Sequence, residues 1–212
     1  SKPKPLSLKP HSHLEFTWHF FALHPPQTNQ KQLDQLTFEK NFNILATFDT
    51  IERFWEIKRF LYPPSKLQMG HSLALFKQDI EPVWENPHNT NGGKWTMYFP
   101  YSSSSDDGSA ASSSSSGGES DETKQTGLDV YADAIFERVQ IALIGEHYEK
   151  HNRTSLCGTV ATRKQNFIRV SIWASNYQDQ AHVAFVKKQL RKILPKHIKV
   201  RFDKHPISLG KR

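Results

Sequence analysis

A single cysteine in 212 residues excludes an internal disulfide. Cys157, set in Ser-Leu-Cys-Gly, reads as a small buried residue of a protein kept in a reducing compartment. No long apolar run and no amphipathic basic anchor is present, so no membrane role is indicated. Ser1 to Pro10 is short, polar and broken by proline, unlike a secretion signal. Also missing are a nucleophile beside a base, a pair of carboxylates, a phosphate loop and a metal-binding acidic cluster, so the sequence points to no enzyme, cofactor or metal centre.

What is present is charge and aromatic surface. The formal charge is +7, and 12% of the residues are aromatic, with Phe 14, Tyr 6 and Trp 5. That balance favours an anionic partner, nucleic acid before membrane. The length suits one domain over residues 1–212, with residues 1–12 as a flexible tail. Residues 101–126 collapse into serine, glycine and acid and read as a disordered insertion. The insertion carries a net charge of −4, which leaves the rest of the chain at +11.

Alternation predicts strands at Leu14 to Leu23, Ser72 to Phe76, Lys94 to Phe99, Leu156 to Thr162, Phe167 to Trp173 and Ile198 to Phe202. Asp49 and Glu52 form a capping box before a helix that starts near Ile51 and is ended by Pro63-Pro64. A second helix is expected from Leu128 to Ile144, stopped at Gly145, and a third from Asp179 to Leu194, closed by Pro195. Strands with irregularly spaced helices predict an α+β fold, an antiparallel sheet covered on one face. The other face is left for a ligand.

Ile80-Glu81-Pro82-Val83-Trp84-Glu85 is the most informative stretch. An aromatic plate attracts a flat cation through its quadrupole, and a carboxylate beside it can accept two hydrogen bonds from the N1 and N2 edge of guanine. Further landmarks follow in order: Leu14-x-x-x-Trp18, Phe48-Asp49-Thr50-Ile51-Glu52-x-Phe54-Trp55, Leu75-Phe76-Lys77, Gly92-Gly93-Lys94-Trp95, Leu143-Ile144-Gly145-Glu146, Cys157-Gly158 and Ile172-Trp173. Together they resemble the eukaryotic translation initiation factor 4E family from about His13 to His205. The resemblance implies a curved sheet of about eight strands, three helices on its convex back and a cap-binding slot on the concave face.

The resemblance also implies roles. Trp84 becomes one slice of an aromatic sandwich around 7-methylguanosine, with its backbone N–H meeting O6 and Glu85 holding the guanine edge. The opposite slice falls on Phe38, where most members have tryptophan, with Phe42 as its rival. Trp173 meets the N7-methyl group. Lys94, Lys164 and Arg169 match the cations for the cap phosphates, with Lys164 favoured over Arg163 because one residue along a strand reverses the side chain's face. On the back, His13, Ile51, Trp55, Glu137 and Ile141 match the partner-binding positions. Ser12-His13 replaces the family's His-Pro, and Glu137 stands where leucine is expected. The implied function is cytoplasmic: binding of capped messenger RNA, including caps with methylated adjacent nucleotides, and recruitment of a 4G-type scaffold or another 4E-interacting protein. The alternative is a diverged paralogue with weak cap binding that acts as an interaction module or translational repressor.

Other features have plainer readings. Trp18, Phe48, Phe54 and Trp95 are expected in the core. Phe54 takes the inward direction of its helix, so Trp55, about 100° round, points out. His147 and His151 are four apart but follow a helix stop, which argues against a metal site. Lys187, Lys188, Arg191 and Lys192 read as a solvated helix face, with a path for RNA beyond the cap as the alternative.

Overall fold

The computed structural model describes residues 12–25, 41–101, 127–148 and 155–205. The candidate stacking residue Phe38, His151 and nearly all of the predicted tail and insertion lie outside the described residues.

Among the described residues the strands are β1 (His13–Leu23), β2 (Phe42–Thr50), β3 (Ser72–Lys77), β4 (Gly93–Pro100), β5 (Leu156–Arg163), β6 (Phe167–Ala174) and β7 (Val200–Lys204). They form one seven-stranded sheet in the order β2-β1-β3-β5-β6-β4-β7, and every neighbouring pair is antiparallel. The helices are α1 (Ile51–Lys58), α2 (Pro87–Thr90), α3 (Gly127–Ile144) and α4 (Gln180–Ile193). Thus the α+β architecture and the three longer helices agree with the sequence reading. The single turn α2 is additional.

Alternation along each strand gives the sheet two unlike faces. Phe20, Leu75, Met97 and Ile172 point to one side, where they pack with Phe54 and Ile57 of α1, Ile135 and Val139 of α3, and Val186 and Leu190 of α4. Trp18, Phe48 and Trp95 are buried in the same core, as expected. The Trp95 indole N–H donates to the Val183 carbonyl at 3.3 Å, tying β4 to α4. A 3-10 turn at Pro64–Lys66 is held to α3 where the Ser65 backbone N–H donates to Asp133 at 2.9 Å.

Two local expectations are corrected. β2 has no counterpart among the predicted strands, because it is an edge strand whose Ile44 and Leu45 are exposed and blur the alternation. The helix after it is capped by Thr50 rather than Asp49: the Thr50 hydroxyl accepts from the Arg53 backbone N–H at 3.3 Å. The Glu52 carboxylate accepts the Ser12 backbone N–H at 3.1 and 3.2 Å. The helix also ends at Lys58, before the prolines, and Pro64 instead starts the 3-10 turn.

Candidate functional site

The face without α1, α3 and α4 carries a smaller apolar cluster: Phe21, Ala74, Phe76, Ile80, Cys157, Val160 and Trp173, with Trp84, Phe42 and Leu23 packed against it. Trp84 and Trp173, far apart in sequence, therefore share one floor. Cys157 is buried there, its thiol directed at the His88 carbonyl at 3.8 Å. Phe42 sets its ring edge-on to Phe21 at 5.6 Å.

Trp84 and Glu85 sit in the loop between β3 and β4, half-buried and exposed respectively. Buried Ile80 and Pro82 anchor the loop from its own side. Asn89, fully buried, braces it from the other: its side-chain amide donates to the Glu81 carbonyl at 2.9 Å and to the Val83 carbonyl at 2.8 Å. Asn86 accepts from the His88 backbone N–H at 3.0 Å, and with Pro87 next it starts the short turn of α2.

The glycine pair that follows is required by close approach. A Cβ on Gly92 would stand 2.1 Å from the Ala174 carbonyl, and one on Gly93 2.6 Å from the Phe202 ring. The loop is thereby clamped against the ends of β6 and β7, and the His205 backbone N–H donates to the Gly92 carbonyl at 3.0 Å.

Charge gathers beside this floor. Lys94 pairs in register with Trp173 on one side and Asp203 on the other, and Tyr98 with Arg169. The Lys94 ammonium lies 5.6 Å from the centre of the Trp173 ring. Burial, with the neighbouring Arg169, pushes the Lys94 pKa down, and Asp203 opposes that. Trp173 is further enclosed by Phe76, edge-on at 5.5 Å, and by His205 at 4.3 Å. Burial, and then Lys94, lowers the His205 pKa to about 4, so its imidazole is neutral near pH 7.

Arg169 reaches the Thr162 hydroxyl at 3.3 Å. Arg163, one residue on from Thr162, takes the opposite direction, its guanidinium donating to the Leu67 carbonyl at 2.6 Å. Lys164 begins the turn into β6, its backbone N–H donating to the Phe167 carbonyl at 2.9 Å. Arg201, which sequence reasoning missed, shares the open face and donates to Asp203 at 2.6 Å. Only the pairing of β7 with β4 reveals it.

The family model described as eukaryotic initiation factor 4E matches residues 13–212. The chain belongs to the eukaryotic initiation factor 4E family. Eukaryotic translation initiation factor 4E-1 of Arabidopsis thaliana is 30% identical over 197 residues, covering 92% of this chain and 69% of the relative. That of Glycine max is 28% identical over 192 residues, covering 91% of this chain and 66% of the relative. The chain thus spans about two thirds of the length of these relatives. Among solved structures, C. elegans eIF4E-3 in complex with the 4E-binding protein Mextli superposes with a TM-score of 0.72 at 20% identity, covering 92% of this chain and 94% of that one. Ascaris suum eIF4E-3 with m2,2,7G cap does so at 0.70 and 22%, covering 95% and 96%. As a member of the initiation factor 4E family the chain is a translation factor, not an enzyme.

The helix-covered side holds the other predicted residues. Phe54 is buried whereas Trp55 is 42% exposed, with Ile51 and Ile141 also open. Glu137 is not an isolated charge: its carboxylate lies 3.9 Å from the Lys58 ammonium, linking α3 to α1. Burial lowers the Lys58 pKa, and Glu137 and then Asp133 raise it. Ser12 is fastened to the start of α1, its carbonyl accepting the Ile51 backbone N–H at 3.0 Å. The His13 imidazole lies 4.0 Å from Asp49, both largely exposed. Lys187, Lys188, Arg191 and Lys192 are all exposed, and Arg191 also donates to the Ile198 carbonyl.

Proposed function

We propose that the open face is a slot for the 7-methylguanosine cap of messenger RNA. The observation that carries this reading is the meeting of Trp84 and Trp173 over one apolar floor, with exposed Glu85 beside the first and Lys94 beside the second. A cationic purine stacks on Trp84, its N1 and N2 donors pair with Glu85, its O6 meets the Trp84 backbone N–H, and its methyl group packs at Trp173. Phe38 supplies the opposite slice. Lys94, Arg169 and Lys164 hold the phosphates, with Arg201 placed to assist. The structural neighbours fit: Ascaris suum eIF4E-3 is solved in complex with m2,2,7G cap, and C. elegans eIF4E-3 with Mextli and cap analog.

The back face serves a helical partner, a 4G-type scaffold or a 4E-binding protein, laid against Ile51, Trp55 and Ile141. The Lys58–Glu137 pair in this otherwise apolar patch favours a partner with a polar group at that point. A second reading is a diverged paralogue that holds the cap weakly and acts as an interaction module or translational repressor in the cytoplasm; Glu137 on the back, with Phe38 and Lys164 where the family has tryptophan and arginine, motivates it.

Tryptophan fluorescence separates the two. Titration with 7-methylguanosine triphosphate should quench the signal, and unmethylated GTP should do so far less. Absence of quenching at tens of micromolar ligand, an affinity of about 6 kcal/mol, overturns cap binding. Glu85→Ala should weaken binding by at least several-fold, since the guanine donors lose a charged acceptor.

A further inference from the structure

Beyond the cations, the open face carries an aromatic pair that no part of the slot uses. Tyr98 is 47% exposed on β4, and Phe167 is half-buried at the start of β6. Their rings meet edge to face, with centroids 5.3 Å apart. Tyr98 is opposite Arg169 in register, Lys94 is opposite Trp173, and Phe167 is opposite Pro100. Along β6 the open-face order is therefore Trp173, Ser171, Arg169, Phe167, and along β4 it is Lys94, Thr96, Tyr98.

We propose that Tyr98 and Phe167 form a stacking platform for the base of the nucleotide joined to the cap through its phosphate chain. This rests on the reading of the slot as a cap site. Four residue steps of strand separate Lys94 from Tyr98, about 13 Å at the usual rise. An extended ribose and phosphate bridge covers such a span. The phosphates would run over Lys94 and Arg169, and a base leaving Arg169 arrives at Tyr98. An aromatic face on a positively charged groove is how single-stranded nucleic acid is held without hydrogen-bond readout, because every base has a π face. The occupant is a base rather than an apolar protein segment, since the platform continues a line of cations instead of standing in an apolar patch. The platform also accounts for a large aromatic ring left open on a face that, among the described residues, α1, α3 and α4 leave uncovered.

The test compares three ligands by fluorescence or calorimetric titration: 7-methylguanosine triphosphate, the same cap joined to adenosine, and that dinucleotide with an abasic ribose in place of adenosine. The wild-type protein should prefer the adenosine compound to the abasic one by about tenfold, a stacking-sized gain. Tyr98→Ala should erase most of that preference while leaving the mononucleotide's affinity unchanged, and Tyr98→Phe should keep it. Phe167→Ala should reduce it in part. An equal affinity of the wild type for the adenosine and abasic compounds overturns the platform, as does a preference that survives Tyr98→Ala. Failure of the mononucleotide itself to bind would show instead that the slot reading is wrong, and the platform falls with it.

Discussion

The two faces of the sheet are built from the same strands, yet they do opposite things with them. On β3, Leu75 faces the helices and Phe76 the slot; on β6, Ile172 and Trp173 divide in the same way. The helix-covered side packs α1, α3 and α4 over a large continuous core. The open side has a floor of seven buried residues, leaves Trp84 half-buried above it, and sets Lys94 and Arg169 at its border. Most of the buried core lies on the first face, and the proposed cap recognition uses the second. A side chain's place in the alternation decides which of the two its loss damages.

Substitutions on either side can break that division. The largest effect belongs to the core: Trp95→Ala removes a fully buried indole and should cost about 3 to 5 kcal/mol in chemical denaturation. A cost near zero would mean that α4 does not depend on β4. Next comes Asn89→Ala, which strips two hydrogen bonds from the slot loop and should cost about 1 to 3 kcal/mol locally. Cap affinity should fall in that variant while the urea midpoint shifts less than for Trp95→Ala. The reverse ranking would place the loop within the global folding unit.

A third prediction concerns pH. Because the folded-state pKa of His205 is lowered to about 4, the unfolded chain takes up a proton first as pH falls. Stability should be full above about 6.5 and decline between there and about 4, and His205→Phe should flatten that slope in thermal melts. An unaltered slope would assign the decline to other groups. The smallest effect is expected at the back: Trp55→Ala should change stability by about 1 kcal/mol or less, because the ring is already largely exposed. It should abolish capture of a helical partner in a pulldown and leave cap affinity intact.

Much of this arrangement was legible in the sequence, for reasons that differ by element. The longer helices announce themselves by apolar spacing, α3 and α4 also by Gly145 and Pro195 just past their ends, and Trp84-Glu85 by its chemistry. β2 was not legible, because exposed Ile44 and Leu45 interrupt the alternation that marks a half-buried strand. The cap at Thr50 was missed by one residue because Glu52 is engaged by Ser12, a contact forty residues away in sequence. That Arg163 and its neighbour Lys164 point to opposite faces followed from strand geometry, and which of them turns from the open face followed from the family register. Arg201 depends on β7 lying beside β4, which nothing local in the sequence records, whereas the bracing amide of Asn89 is a contact within its own loop that no regular periodicity marks.

The clamp at Gly92 and Gly93 has a kinetic consequence. With no room for a Cβ at Gly92 and Gly93, that end of the Trp84 loop is fixed against the ends of β6 and β7 by the fold itself, and a preorganised loop should bind without a closing step. Association should follow collision frequency and the pull of Lys94, Arg169 and Arg201 on an anion, so it should slow with added salt. Differences among ligands should then appear in how long each one stays.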